Sequence, residues 1–419
     1  MRASIIAFVL SVAVAPALAA VEKEPTLPAA RLAAPGSALS GPGWRVDSPV
    51  PVRGYLGQFT LRTPQGDVPA QGREVLAIRI AEIPALARLE EVSRRDVFAG
   101  AIADSAKATG RAVTRVVTNP GETIKGIPAG LGRLVKRTAG RVRNVAVAVG
   151  DAARRERDKD GGAAGEGGPG AADKARDFAT ELAGVNKARR AIAKSLNIDP
   201  YTGNPLLQDR LEDLAWASVA GGLSMDLALG AFGGLAGTVL STTGQLDGLV
   251  WDLPPEDIRR RLEKELVARG AEPMAAREFL RNGAFTPTLQ LAFVSALRAL
   301  GRPTGEADVL ALATGVQGEV HARFLVQQLR MLARHVPVDD PVVALEALEA
   351  SIAATTRGGV RWVALPVDHL SWTEQVEQAA HGEASSASRL LVAGSVSDLA
   401  RRELARAGWQ VTADAGLPD

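Results

Sequence analysis

The sequence predicts a predominantly helical α+β fold with a small amino-terminal β element, a central helical domain and a small βαβαβ piece at the carboxyl terminus. Three patterns lead to this prediction. Polar and apolar residues alternate within 44–80, helical spacing runs through 175–356, and short apolar runs alternate with helical segments in 357–419. With 419 residues, 46% of them hydrophobic, the chain can bury two or three cores.

The first residues have the layout of a cleavable secretory signal. Arg2 precedes an apolar run from Ile5 to Ala15, and the small-residue ending Ala17-Leu18-Ala19 follows. The run is too short to span a bilayer, although an uncleaved anchor or a buried helix is the alternative. We therefore expect a bacterial periplasmic or secreted protein whose mature chain starts near residue 20.

The mature chain divides into segments of different composition. Residues 20–43 are rich in Pro, Ala, Ser and Gly, which predicts a flexible leader. The stretch 161–170 holds six glycines, which predicts a linker. We divide the chain into signal peptide, leader, β element with basic helices, Gly-rich linker, helical domain and small α/β piece as follows: 1–19, 20–43, 44–150, 151–174, 175–356 and 357–419.

The composition excludes much chemistry. The chain has no cysteine, which excludes disulfides, thiolate zinc sites, iron–sulfur clusters and cysteine nucleophiles. His321 and His335 stand on one predicted helix, where a rise of about 1.5 Å per residue separates them by about 21 Å, so they cannot share a metal. We expect neither a metal nor a cofactor.

Basic residues cluster in residues 105–150. This segment has nine basic side chains and one acid, a net charge of +8. Because the whole chain carries +2 and the signal carries +1, the rest of the mature chain carries −7. Helical spacing places apolar residues on one face and basic residues on another. The candidate surface-binding residues are Lys107, Arg111, Arg115, Arg133, Lys136, Arg137, Arg141 and Arg143.

Two interpretations of the basic segment stay open. Its helices can lie on an anionic membrane surface or an acidic protein partner, or their basic faces are simply solvated. Nucleic acid is not expected as a partner, because the chain carries an export signal and the segment has no aromatic residue to stack on bases.

A second candidate site lies near Asp368, His369, Ser371 and Ser395. These residues stand at predicted strand ends, where parallel sheets place active sites. However, neighbouring residues of a strand point in opposite directions, so Asp368 is poorly placed to orient the His369 ring. No nucleophile-elbow pattern surrounds a serine. Either the site is catalytic, or Asp368 and Ser371 serve the start of the helix that follows.

The segment 227–246 contains no charged residue over 20 positions, which is the minimum length of a membrane span. Its glycines and polar residues favour a tightly packed core hairpin over insertion into a membrane.

For function, the sequence favours a non-enzymatic binding or scaffold protein of the cell envelope. The alternatives are a periplasmic enzyme with a site near Asp368, His369 and Ser395, and a membrane-inserting protein.

Overall fold

The structure is a computed structural model, and it describes residues 21–93, 100, 169–219, 248–383 and 388–418. Four of the sequence predictions lie partly or wholly outside these residues. They concern the signal peptide, the basic segment with all eight of its candidate residues, most of the Gly-rich linker, and the charge-free segment: 1–19, 105–150, 151–168 and 227–246.

The predicted fold class is wrong. The chain is a mixed α/β protein in which the described helices are combined with an antiparallel sheet, a mixed sheet and a two-stranded parallel sheet. The prediction underestimated the strands because two of them, β7 and β8, lie inside the region assigned to helices, and because the amino-terminal sheet begins within the predicted leader. The strands are β1 (Thr26–Leu27), β2 (Ser40–Gly41), β3 (Trp44–Val46), β4 (Val50–Arg53), β5 (Leu56–Thr63), β6 (Gly66–Gln71), β7 (Val342–Ala347), β8 (Ile352–Thr356), β9 (Arg361–Leu365), β10 (His369–Leu370), β11 (Ser388–Val392), β12 (Ser395–Val396) and β13 (Trp409–Thr412).

The helices of the described residues start mainly at proline or acidic residues, which suit the first turn of a helix. They are α1 (Ala29–Leu32), α2 (Arg73–Ser93), α3 (Pro169–Ser195), α4 (Pro205–Val219), α5 (Leu249–Asp252), α6 (Pro255–Ala268), α7 (Pro273–Arg281), α8 (Pro287–Ala299), α9 (Glu306–Gly315), α10 (Glu319–His335), α11 (Glu374–Glu383) and α12 (Asp398–Arg406).

The amino-terminal sheet is antiparallel and is organised around β5. This strand pairs with β4 at its beginning, with β3 near its end and with β6 along most of its length. Phe59 and Leu61 of β5 are buried and point to the same face, as the two-residue period of a strand requires. Leu76 of α2 belongs to the same core, so α2 covers this face.

The predicted leader differs from the structure between residues 21 and 43. Strand β1 pairs with β4, and α1 places Leu32, which is fully buried, in the core of the amino-terminal sheet. The segment is ordered through tertiary contacts made by few apolar residues. Its composition alone does not reveal those contacts.

Helices α2, α3 and α4 form what we call the three-helix layer. Helices α2 and α4 run parallel, because Glu82 contacts Asn204 near one end and Glu90 contacts Arg210 eight residues further along α2. Leu89 and Leu211, both buried, belong to the core between these helices.

Helices α3 and α4 run antiparallel. A Cβ atom added at Gly184, just past the midpoint of α3, would lie 3.4 Å from Val219 at the end of α4, whereas Ile192 of α3 shares a core with Leu207 near the beginning of α4. The end of α2 at Ser93 and the end of α4 therefore lie at one end of the three-helix layer, and the first half of α3 extends from this end. We call this the open end. The chain leaves it at Ser93 and returns through α3.

Helices α5 to α10 form the central helical region. Phe279, Phe285 and Phe293 stack in its core with ring centroids 4.9 to 5.6 Å apart. Asn282 follows α7, and its side chain donates hydrogen bonds to the carbonyl groups of Ala313 and Val316 at the end of α9. The predicted helical patterning is present here, but the region ends at α10 and not at residue 356, because β7 and β8 follow.

The carboxy-terminal sheet has the strand order β13-β11-β9-β8-β7, in which β7 and β8 are antiparallel additions to three parallel strands. Alternating residues divide between its two faces. Ala364 and Leu391 join the core under α10, whereas Val363 and Leu390 join the core with α12. Helices thus cover both faces, which explains the near-continuous apolar runs of β9 and β11.

Candidate functional site

The candidate site at Asp368 lies at the junction between the two sheets, in the turn between β9 and β10. Asp368 is 1% exposed, and its carboxylate accepts hydrogen bonds from Gly57 N at 2.8 Å and from Arg73 N at 3.1 Å. Arg73 Nε adds an ion pair at 3.0 Å. Asp368 therefore caps the amino terminus of α2, where the N–H groups and the helix dipole favour an anion.

The guanidinium of Arg73 completes this junction. It donates to the carbonyl groups of Asp368 and Ala393, at 3.1 and 3.3 Å. Gly394 allows this close approach, since a Cβ atom there would lie 2.1 Å from the Asp368 carbonyl oxygen and 2.5 Å from Arg73 Nη2. The side chain of Asp368 is fully used in joining β5, α2 and the carboxy-terminal sheet.

His369 and Ser395 are brought together, as the enzyme interpretation requires. They are partners in the parallel pair β10–β12, and His369 Nδ1 lies 2.8 Å from Ser395 Oγ. Burial lowers the pKa of His369, which favours the neutral ring, although Glu22 opposes the shift. Asp368 turns away from both residues, so no Asp-His-Ser triad forms.

The surroundings of Ser395 are those of a structural hydroxyl. Ser395 Oγ can also donate to the Asp368 carbonyl oxygen, at 3.4 Å. When it does, His369 Nδ1 must act as donor, which is the wrong tautomer for a general base toward this serine. The N–H groups of Ser395 and Ser397 donate to Asp368 and Leu370 carbonyl groups, so neither can stabilise an oxyanion.

The loop from Gly394 to Ser397 already holds an anionic side chain from this protein. The Glu22 carboxylate accepts hydrogen bonds from the Ser397 hydroxyl and from Trp372 N. Ser397 Oγ also accepts from Ala400 N at 3.0 Å and caps α12. The Ser397 hydroxyl and Trp372 N thus bind a carboxylate from the segment predicted as a leader.

Ser371 is buried, and it does not begin the following helix as expected. The residue that caps α11 is Thr373, whose Oγ1 faces Val376 N at 3.4 Å and Tyr55 Oη at 2.7 Å. The capping signature is thus shifted by two residues. The sequence did not identify Arg73, Glu22 or Tyr55 as parts of this junction, because all three are distant along the chain from Asp368.

A small cleft lies beside the junction, between the amino-terminal sheet and α10. Its polar lining includes Arg73, Arg323 and Gln327, and Gln327 Oε1 is buried without a hydrogen-bond partner among the described residues. His369 and Ser395 do not line this cleft.

The basic segment is connected to the described fold at the open end of the three-helix layer. Its eight candidate residues lie outside the described residues, so their contacts are not given. The residues on both sides of the interval are anchored. Leu89 and Val92 near the end of α2 are buried, and so are Val185 and Ala188 of α3.

Within the described residues there is no group of three or more His, Asp or Glu side chains that could hold a metal ion. His321 and His335 lie at opposite ends of α10, as the sequence predicts, and His321 Nε2 contacts the Ala350 carbonyl oxygen at 2.9 Å. No helix in the described part of the chain is both long enough and apolar enough to cross a membrane.

Comparison with models of protein families, with curated proteins and with solved structures finds no match to this chain.

Proposed function

We propose that the protein is an exported protein of the cell envelope that binds an anionic membrane surface through the basic helices of residues 105–150, and that it acts as a binding or scaffold protein and not as an enzyme. The observation that carries the proposal is the segregation of charge. A net charge of +8 is concentrated in this segment, and −7 is spread over the rest of the mature chain. An even distribution of basic residues would give no preferred binding face.

The spacing of the basic residues supports binding through helix faces. Lys107, Arg111 and Arg115 repeat every four residues, as do Arg133, Arg137 and Arg141, so each set falls on one side of a helix. Each basic residue near an anionic bilayer contributes roughly 1 kcal/mol to binding. Three such residues on one face therefore contribute about 3 kcal/mol, and this electrostatic part of the binding depends on salt.

The anchoring of the segment supports the same proposal. The chain enters and leaves the interval at the open end of the three-helix layer, where α2 and α3 are each held by a buried core. The acidic remainder of the protein is repelled by an anionic surface, which favours an orientation with the open end toward it.

The test is sedimentation of the mature protein with vesicles of phosphatidylglycerol and phosphatidylcholine, at low and high salt. We expect binding to the anionic vesicles at 0.05 M salt and its loss near 1 M, where the Debye length falls to about 3 Å. Replacing Arg133, Arg137 and Arg141 by Glu is expected to abolish binding.

The matched control reverses three exposed arginines elsewhere in the protein, Arg259, Arg261 and Arg401. It changes the net charge equally and is expected to retain binding. Loss of binding in the control would show that total charge matters and not the basic segment. If the native protein ignores anionic vesicles at low salt, the lipid proposal is wrong, and an acidic protein partner becomes the better interpretation. Binding to neutral vesicles that resists salt would instead favour membrane insertion by residues 227–246.

The enzyme alternative has one observation in its favour, the 2.8 Å contact between His369 Nδ1 and Ser395 Oγ. A fluorophosphonate reagent, which modifies activated serines, tests it directly. We expect no modification of Ser395, because its hydroxyl is held by His369 and the Asp368 carbonyl group. Modification that disappears in Ser395→Ala would establish a reactive serine and overturn the non-enzymatic part of the proposal.

A further inference from the structure

Two neighbouring arginines of α3, Arg189 and Arg190, lie beside Tyr201 in the turn that precedes α4. Arg190 is 9% exposed. The Nε atoms of both arginines are buried and make no hydrogen bond in the described structure. The guanidinium carbon of Arg189 lies 5.5 Å from the centre of the Tyr201 ring, a cation–π contact. A buried cation, Arg190, and a partly buried one, Arg189, thus stand next to each other.

The hydroxyl group of Tyr201 faces these two cations. It is buried, the Arg190 side chain interacts with its oxygen, and its own O–H has no acceptor among the described residues. Burial raises the pKa of Tyr201, while the positive charges of Arg190 and Arg189 oppose that shift. The group therefore remains a neutral phenol that can donate one hydrogen bond.

Tyr201 is held rigidly in this position. Asp199 Oδ1 accepts a hydrogen bond from Tyr201 N at 2.8 Å and another from the Thr288 hydroxyl at 2.8 Å. The next residue, Thr202, is buried and bonded to Glu82 of α2. The turn cannot move the phenol away from the arginines without breaking this network.

The nearby acids do not neutralise the two arginines. Asp199 is occupied by Tyr201 N and Thr288, and Glu212 on α4 attracts Arg189 without an ion pair between them. Burying a guanidinium without a hydrogen-bonded anion costs several kcal/mol, and two adjacent ones also repel each other. The simplest explanation for keeping two such arginines together is a bound anion that accepts their hydrogen bonds and neutralises their charge.

We propose that Arg189, Arg190 and Tyr201 bind an oxyanion, which is a phosphate or a carboxylate group. Guanidinium N–H groups and a phenol O–H are all donors, so a group with several acceptor oxygens and a negative charge satisfies them together. The planar guanidinium matches either group in a two-pronged arrangement. This site is separate from the basic segment and does not depend on the membrane proposal.

The test is thermal unfolding of the mature protein in sodium phosphate, sodium acetate and sodium chloride at equal ionic strength and pH 7. Phosphate or acetate is expected to raise the Tm above that in chloride, and the more effective anion identifies the ligand class. Arg190→Met is expected to remove this rise. Its Tm in chloride should equal or exceed that of the native protein, because it removes a buried charge that has no partner.

Titration calorimetry with the more effective anion then measures affinity. We expect Tyr201→Phe, which removes only the hydroxyl and preserves the ring, to weaken binding about tenfold. The triple variant of Arg133, Arg137 and Arg141 should keep the anion response, since the site lies elsewhere. An equal Tm in all three salts would overturn the proposal. So would a response that survives Arg190→Met and Tyr201→Phe but disappears in the triple variant.

Discussion

Asp368 and His369 are adjacent in the chain, but they face different environments, as expected from the alternation of side chains along a strand. Asp368 points inward to Arg73 and the start of α2, whereas His369 pairs with Ser395 across β10 and β12. The sequence could indicate that the two side chains diverge. It could not indicate the partner of Asp368, because Arg73 is 295 residues away.

Replacing Asp368 by Asn is expected to destabilise the protein by about 3 kcal/mol, because it leaves the buried Arg73 without a counter-charge. Urea unfolding measures the change. The control is Asp47→Asn, which breaks an exposed ion pair with Arg62 and should have a much smaller effect. Equal effects of the two substitutions would contradict a structural role for the Arg73–Asp368 pair.

Replacing Gly394 by Ala is expected to cost about 2 kcal/mol or more, because the new Cβ atom would collide with the Asp368 carbonyl group. Gly318→Ala is the matched control, since no atom lies within 4 Å of a Cβ atom built there. Chemical unfolding of both variants decides the point. A Gly394→Ala protein as stable as the control would show that the junction is looser than described.

The pH dependence of stability is expected to contain a contribution from His369. Burial lowers its pKa in the folded protein below the value of about 6.5 in the unfolded chain. Between these two pH values the unfolded chain binds a proton that the folded protein does not, so stability is fully present above pH 6.5 and decreases as the pH falls. His369→Gln should reduce the slope of stability against pH in this range. His335, whose pKa is also lowered, accounts for part of the slope that remains in this variant. An unchanged slope would place His369 in an environment like that of the unfolded chain.

At the scale of elements, strong local patterns predicted the structure best. The helix that carries both His321 and His335 is α10, and the three carboxy-terminal apolar runs are β9, β11 and β13. Strands β7 and β8 were missed because each is a short run of small and apolar residues with two alanines, which periodicity alone does not distinguish from a helical segment. The order of residues 21–43 was missed because pairing of β1 with β4 is a tertiary contact.

Limited digestion with trypsin compares how quickly the predicted leader and the Gly-rich linker are cleaved. We expect early cleavage after Arg154, Arg155 or Arg157, because the Gly-rich sequence that follows cannot form a core. Cleavage after Arg31 should be slow, since Arg31 lies in α1 and the next residue, Leu32, is fully buried. Mass spectrometry of the first fragments identifies the sites, and early cleavage after Arg31 would contradict the order of the leader.

At the scale of the whole molecule, the Asp368 junction joins the amino-terminal sheet to the carboxy-terminal sheet. The basic segment is connected to the fold elsewhere, at the open end of the three-helix layer. The composition predicted the separation of charge, because this needs only the sequence. It could not predict the Arg189–Arg190 pair, of which Arg190 is buried, because the two look like any basic residues of an exposed helix until Tyr201 is placed beside them.

The most direct test of the membrane proposal is to excise the basic segment and leave the described fold complete. Residues 94–168 are replaced by a 20-residue Gly/Ser linker, whose root-mean-square length of about 25 Å allows α2 and α3 to keep their positions at the open end. We expect the excised protein to unfold with the cooperativity of the native protein and to lose sedimentation with phosphatidylglycerol vesicles at low salt. A folded, excised protein that still sediments with those vesicles would contradict the proposal that residues 105–150 form the binding surface.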